Sequence, residues 1–176
     1  DLDQQWLTRK NNVKLIINKK NQFFSKATNQ SVSYSSGEII VLLNNDIILQ
    51  EGIVETVLGE LIKDQIDIVV PRLYYPDGTS QKSIRGFPTL ANIFFASTLI
   101  NKISKKFDSY YMNYFDYSIK QLITHQPMFS ALFMKRKIWD KVGDLDEEFP
   151  LLFNDVDWFY RFRKLNGTCI YLPNAK

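Results

Sequence analysis

Apolar residues along this chain fall into short continuous runs separated by stretches in which they recur every three or four positions. Residues 13–18 (VKLIIN), 38–43 (EIIVLL), 66–74, 129–134 and 168–172 are runs of the first kind, and they predict strands, the uninterrupted ones buried on both faces. Residues 21–36 place Phe23, Phe24 and Ala27 on one side and predict a helix with Asn21 as a cap and Gly37 as a stop. Residues 51–65 space Ile53, Val57, Leu61 and Ile62 in the same way, residues 89–106 read as helical, and residues 154–166 carry Val156, Phe159, Tyr160 and Leu165 on one face before Gly167. Between them, Pro76-Asp77-Gly78 is a turn, followed by a short strand or loop edge at 81–85. Strand and helix alternate through the first half, which predicts an α/β fold around a parallel sheet.

Composition narrows the picture. The 176 residues are 45% hydrophobic, 14% aromatic and 23% charged, the make-up of one globular domain able to bury roughly 70% of its unfolded surface. Cys169 is the single cysteine, so no internal disulfide forms and a reducing, cytoplasmic compartment is expected. A formal charge of +3 is too small to point to nucleic acid as the partner. No apolar run approaches the roughly 20 residues that cross a bilayer. The polar, helix-like start at Asp1, with no Met, predicts further residues upstream.

Two places could carry chemistry. In open α/β sheets ligands bind beyond the carboxyl ends of the strands, which is where Asn44-Asn45-Asp46 follows its apolar run, with Asp46 placed to hold a divalent cation; equally, these residues make an ordinary strand-ending turn. At the start of the last helix, Asn154 and Asp157 have the spacing of a capping box, which leaves Asp155 in the first turn, where the helix dipole favours an ionised general base. His125 reads as a loop residue, no glycine-rich phosphate loop is present, and the aromatic stretch 107–117 reads as ring-stacking surface or as core.

In order along the chain, NQFFSKATN (21–29), SGE (36–38) leading into LLNND, Pro71 with DGTSQ (77–81), KVGDLDE (141–147), FNDVDWFYRFRKLNG (153–167) and YLPNA (171–175) resemble glycosyltransferase family 2, the inverting enzymes of GT-A fold, and within it the rhamnosyltransferase-like branch. The resemblance implies a Rossmann-like mixed, mostly parallel sheet flanked by helices in a single domain, with residues 1–85 as the donor and metal side and 86–176 as the acceptor side. It implies Asp46 as the ligand of Mn²⁺ or Mg²⁺, Asn44, Asn45 and Asn29 as donor-binding residues, Asp155 as the catalytic base, and Asn154, Asp157 and Trp158 as acceptor-binding residues. The implied partners are a nucleotide-sugar donor and a saccharide or lipid-linked acceptor, in cell-envelope polysaccharide synthesis at the inner membrane face. The run 93–100 followed by Lys102, Lys105 and Lys106 would suit an anionic surface, and equally a core or homodimer contact.

The chain departs from the family pattern at named points. Asn154 replaces the first acid of the family's pair, and Phe23 stands where N-x-G-F has glycine, so a different backbone is expected there. Asp1 resembles the acid that follows the family's second strand, so the elements that hold the nucleotide base are expected to precede it; the metal-ligating His of the family lies beyond the end, and His125 is not its substitute. A carbohydrate- or partner-binding domain that keeps the fold without catalysis is the competing expectation.

Overall fold

In the computed structural model, which describes residues 12–98 and 108–175, the chain runs α1 (Phe23–Ser33), β1 (Ile39–Leu43), α2 (Ile53–Leu61), β2 (Ile68–Pro71), β3 (Ile84–Arg85), α3 (Leu90–Ser97), β4 (Gln121–Ile123), β5 (Gln126–Pro127), β6 (Ala131–Lys135), α4 (Arg136–Val142), α5 (Asn154–Lys164) and β7 (Cys169–Leu172). A five-stranded sheet has the order β1-β6-β2-β7-β4, and β3 pairs with β5 in a separate ribbon. Among the described residues only β2 and β7 are parallel neighbours; β6 runs antiparallel to both β1 and β2, and β4 antiparallel to β7. The mostly parallel sheet expected from the sequence is therefore a mixed one. β1, β2 and β7 do share a direction, as helix-linked strands tend to. β6 lies between β1 and β2 and runs against both; it follows β5 through a short turn at 129–130, with no helical crossover to dictate its sense.

Alternation along the strands loads both faces. Ile68, Val70, Leu132, Met134, Cys169 and Tyr171 face one cluster with Trp139, Trp158, Phe159 and Phe162 from α4 and α5. Val69, Phe133, Ile170 and Leu172 face another with Ile53, Val57 and Leu61 from α2. This period of two explains why β2 and β7 read as unbroken apolar runs: both faces are covered. The shared direction of β1, β2 and β7 brings Asn44, Arg72 and Pro173 to one edge of the sheet.

Residues 13–18 are not the expected buried strand. They carry no strand pairing, and Val13, Leu15 and Ile17 are exposed; instead Lys14 Nζ donates to the Tyr34 carbonyl and Asn18 Nδ2 to Gln30 Oε1, which lays the segment along α1. An apolar run becomes a strand only if a neighbour completes its ladder, and among the described residues no strand pairs with the outer edge of β1. The helix expected over 89–106 is α3 as far as Ser97; residues 99–107, which include Lys102, Lys105 and Lys106, and the start of the chain lie outside the described residues. α4, β4 and β5 carried no periodic signal. No helix among the described residues is long and apolar enough to cross a membrane.

Phe23 occupies the position where glycine was expected, and its φ is +55°, the left-handed region that glycine enters freely. The Asn21 side chain accepts the Phe23 N–H at 2.8 Å, and the Phe24 and Ser25 N–H groups donate to the Pro150 carbonyl, so the turn is held from three sides. The backbone there takes a conformation that glycine enters freely, and the strain comes from the Cβ of Phe23 against its own backbone. Left-handed φ costs an ordinary residue roughly 1–2 kcal/mol, and Phe23 is half exposed, with little burial to lose. Phe23→Gly is expected to raise the thermal midpoint by about 2–4 °C; a lower midpoint in a melting experiment would show that the ring contributes more than the backbone costs.

Candidate active site

β1 ends at Leu43, and Asn44 is anchored by its N–H to the Ser130 carbonyl at 2.9 Å, while its own carbonyl accepts the Ile47 N–H. This turn carries Asp46 into a cleft of about 510 Å³ that opens beyond the ends of β1 and β2, within the size range of small-ligand sites. Asp46 is the one acid among the described residues that line it, and Arg72, just past β2, the one cation. Asn44 and Asn45 are not part of that lining; Asn44 is half-buried and Asn45 exposed. Over the cleft hangs a hairpin in which Tyr74 bridges Ser80 around the predicted Pro76-Asp77-Gly78 turn, with Gly78 at φ +82°. Thr79 donates its N–H and hydroxyl to Asp77 Oδ1, holding that carboxyl below its ordinary range.

One carboxylate cannot enclose a metal ion, and among the described residues no group of three His, Cys, Asp or Glu is placed to do so. The arrangement does fit an ion such as Mg²⁺ or Mn²⁺ that is held by one or two carboxylates and completed by substrate phosphates.

The second candidate, at the start of α5, is built differently from the expected capping box. Phe153, at φ +65°, is the N-cap, and Asn154 is the first helical residue. Asn154 is 5% exposed; it donates to the Leu151 carbonyl and accepts the Asp155 N–H at 2.8 Å, so it shapes the turn from within. Asp157 pairs with Arg161 one turn on, Oδ2 receiving Nε at 2.9 Å and Nη2 at 2.8 Å. Arg161 also donates to the Val142 and Asp144 carbonyls, which ties α5 to the end of α4. Trp158 is fully enclosed: its ring lies near-parallel to Phe162 and Trp139, and its Nε1 donates to the Gly143 carbonyl. The geometry thus gives Trp158 to the core, out of reach of a dissolved acceptor, and Asp157 to an ion pair.

Asp155, in the first turn, is half-buried, as Val156 and Asp157 are. Burial pushes the Asp155 carboxyl above the ordinary aspartate value, and the Val156 N–H, which donates to it at 2.8 Å, and the nearby Gln126 amide offset part of that rise. Gln126 is 4% exposed and sits on β5 opposite Arg85. A buried glutamine in a two-residue strand before a proline carries no sequence signal, and neither Gln126 nor Arg72 was singled out by the sequence.

The segment from Gln126 to Ala131 joins the two places. Gln126 lies beside Asp155, the Ser130 carbonyl holds Asn44, and Ala131 lines the cleft. Four residues of chain reach at most roughly 14 Å, so Gln126 and the Ser130 carbonyl that anchors Asn44 lie within that distance of each other. Asn29 is elsewhere: it donates to the Leu145 carbonyl and accepts the Leu145 N–H, both at 2.9 Å, clipping α1 to the loop between α4 and α5. His125 lies half-buried in the loop between β4 and β5, as its sequence context suggests.

Comparison with known proteins agrees with the sequence motifs. A protein of Sinorhizobium fredii, recorded as uncharacterized protein y4gI, is 28% identical over 161 residues, covering 87% of this chain and 16% of its own length. The chain therefore spans only about a sixth of that relative. Residues 3–143, which contain β1, the Asn44–Asp46 turn and the cleft but end before α5, match the family Glycosyl transferase family 2. With most of its length matched in this way, the chain belongs to glycosyl transferase family 2.

Proposed function

We propose that the chain transfers a sugar from a nucleotide-sugar donor to a saccharide or lipid-linked acceptor, with inversion and assisted by a divalent metal ion. The observation that carries the reading is the Asp46 cleft at the common carboxyl end of β1 and β2, in a member of this family. The donor's diphosphate would lie in that cleft, with Asp46 contributing a ligand to Mn²⁺ or Mg²⁺. When bound, such an ion neutralises charge on the leaving diphosphate. Asp155 takes the proton of the acceptor hydroxyl as its oxygen bonds to the anomeric carbon, and the bond from that carbon to the diphosphate breaks on the opposite face. One displacement of this kind inverts the centre. Exposure of Leu90, Ile93 and Phe94 on α3 supports peripheral contact with a membrane, where a lipid-linked acceptor would reside.

The test is thermal stability against a panel of UDP-, dTDP- and GDP-sugars with and without Mn²⁺, with Asp46→Ala beside the parent. A ligand at about 100 times its dissociation constant adds roughly 2.7 kcal/mol, or about 5–10 °C for a chain of this length. A shift that needs both sugar nucleotide and metal and is lost in Asp46→Ala is expected. Equal shifts in parent and variant would move the donor elsewhere, and a shift indifferent to metal would favour a binding domain without transferase chemistry.

A further inference from the structure

We propose that Arg72 is the cation that grips the donor's diphosphate, working opposite Asp46 in the same cleft; the inference rests on the donor-site reading above. β2 closes at Pro71, and the next residue is pinned by its N–H to the Ala175 carbonyl at 2.7 Å, which fixes Arg72 at the sheet edge where the cleft begins. Its side chain is equally constrained. Nε donates to Ser80 Oγ at 3.3 Å, and the guanidinium lies 4.8 Å from the centre of the Tyr74 ring. Tyr74 and Ser80 are themselves bridged across the hairpin that the Asp77–Thr79 hydrogen bonds tighten, so one short turn clamps the fork from two directions.

The two terminal nitrogens are left over. Among the described residues Arg72 is in no ion pair, since the four present join Lys26, Lys63, Lys120 and Arg161 to their acids. Nor does either terminal nitrogen donate to a described residue. The Asp116 carboxylate is near enough for its charge to be felt but forms no ion pair with Arg72; a half-buried guanidinium whose terminal nitrogens meet no acceptor among the described residues is completed by an anion, and its planar fork matches a pair of phosphate oxygens. The charges agree. A divalent ion on Asp46 retains a net single positive charge, less than the diphosphate carries, and the deficit grows as the bond to the sugar breaks. Arg72, the one cation lining the cleft among the described residues, supplies the remainder where the charge develops. A guanidinium already in place needs no reorganisation at that moment.

Inorganic pyrophosphate with Mn²⁺ tests this without depending on the sugar or the base. Its binding would be measured calorimetrically for the parent, Arg72→Gln, Arg72→Lys, Asp46→Ala and Ser80→Ala, each variant checked for its melting transition. Loss of a charge-assisted contact is expected to weaken pyrophosphate about 10- to 100-fold in Arg72→Gln. Arg72→Lys should recover part of the affinity and Ser80→Ala should lose several-fold, while Mn²⁺ alone binds all the Arg72 variants as it binds the parent. Parent-like affinity in Arg72→Gln together with loss in Asp46→Ala would overturn the role of Arg72 and leave the donor cleft standing. Failure of the parent to bind Mn²⁺-pyrophosphate would overturn both. If Arg72→Gln does not fold, Arg72→Lys decides: unchanged affinity there removes the bidentate grip.

Discussion

Asp155→Asn is expected to reduce turnover about 10²- to 10⁴-fold, the usual contribution of a general base, while leaving the protein as stable as the parent or more so at neutral pH. The two effects have one cause. Burial raises the carboxyl above its ordinary value more than the neighbouring hydrogen-bond donors lower it, so the ionised form is less favoured in the folded chain than in the unfolded one. A group whose folded pKa is raised contributes stability that is fully present below its unfolded pKa and is lost as pH rises through the folded pKa. At neutral pH the parent therefore carries the cost of a half-buried anion that Asn does not. Asn keeps an oxygen to accept the Val156 N–H, so the turn should survive. In the parent, kcat/KM should fall on the acid side at a pH above the ordinary aspartate range, and the residual activity of the variant should lack that limb. A variant of unchanged turnover would remove Asp155 from the chemistry, and one that melts well below the parent would make it a structural acid.

Trp158→Ala is expected to cost roughly 3–5 kcal/mol, a fall in thermal midpoint of about 10 °C or more. The indole is fully enclosed, lies near-parallel to the rings of Phe162 and Trp139, and meets Phe129 and Phe159 edge-on. Its removal would open a cavity between α5, α4 and the sheet and leave the Gly143 carbonyl without its donor. Heat or denaturant unfolding reads this directly. The opposite pattern, unchanged stability with a raised KM for acceptor, would return Trp158 to the acceptor site that the sequence motif suggests.

The strands β1, β2, β6 and β7 and the helices α1, α2 and α5 were legible because each is long enough to show its period and is loaded on one face or both. The turn at Pro76–Gly78 was legible for a different reason, since proline and glycine restrict the backbone whatever surrounds them. Asp46 and Asp155 stood out because each ends or begins such an element, where a carboxylate meets solvent and, in the second case, a helix dipole. The segment 13–18 misled because apolarity reports what a run would bury and says nothing of whether a neighbouring strand is there to pair with it.

What the sequence determined by itself is local: the longer helices and strands, the turn at Pro76–Gly78 and the places where chemistry can emerge from them, set by side-chain periodicity and backbone restriction within a dozen residues. Tertiary structure alone decided that β6 divides β1 from β2 and that Gln126 meets Asp155. It likewise decided that Arg72 shares a cleft with Asp46 and that Trp158 belongs to the core. Each of those depends on residues that are distant along the chain, or unmarked by any local pattern, being brought together by packing, and neither strand order nor burial is carried by local periodicity.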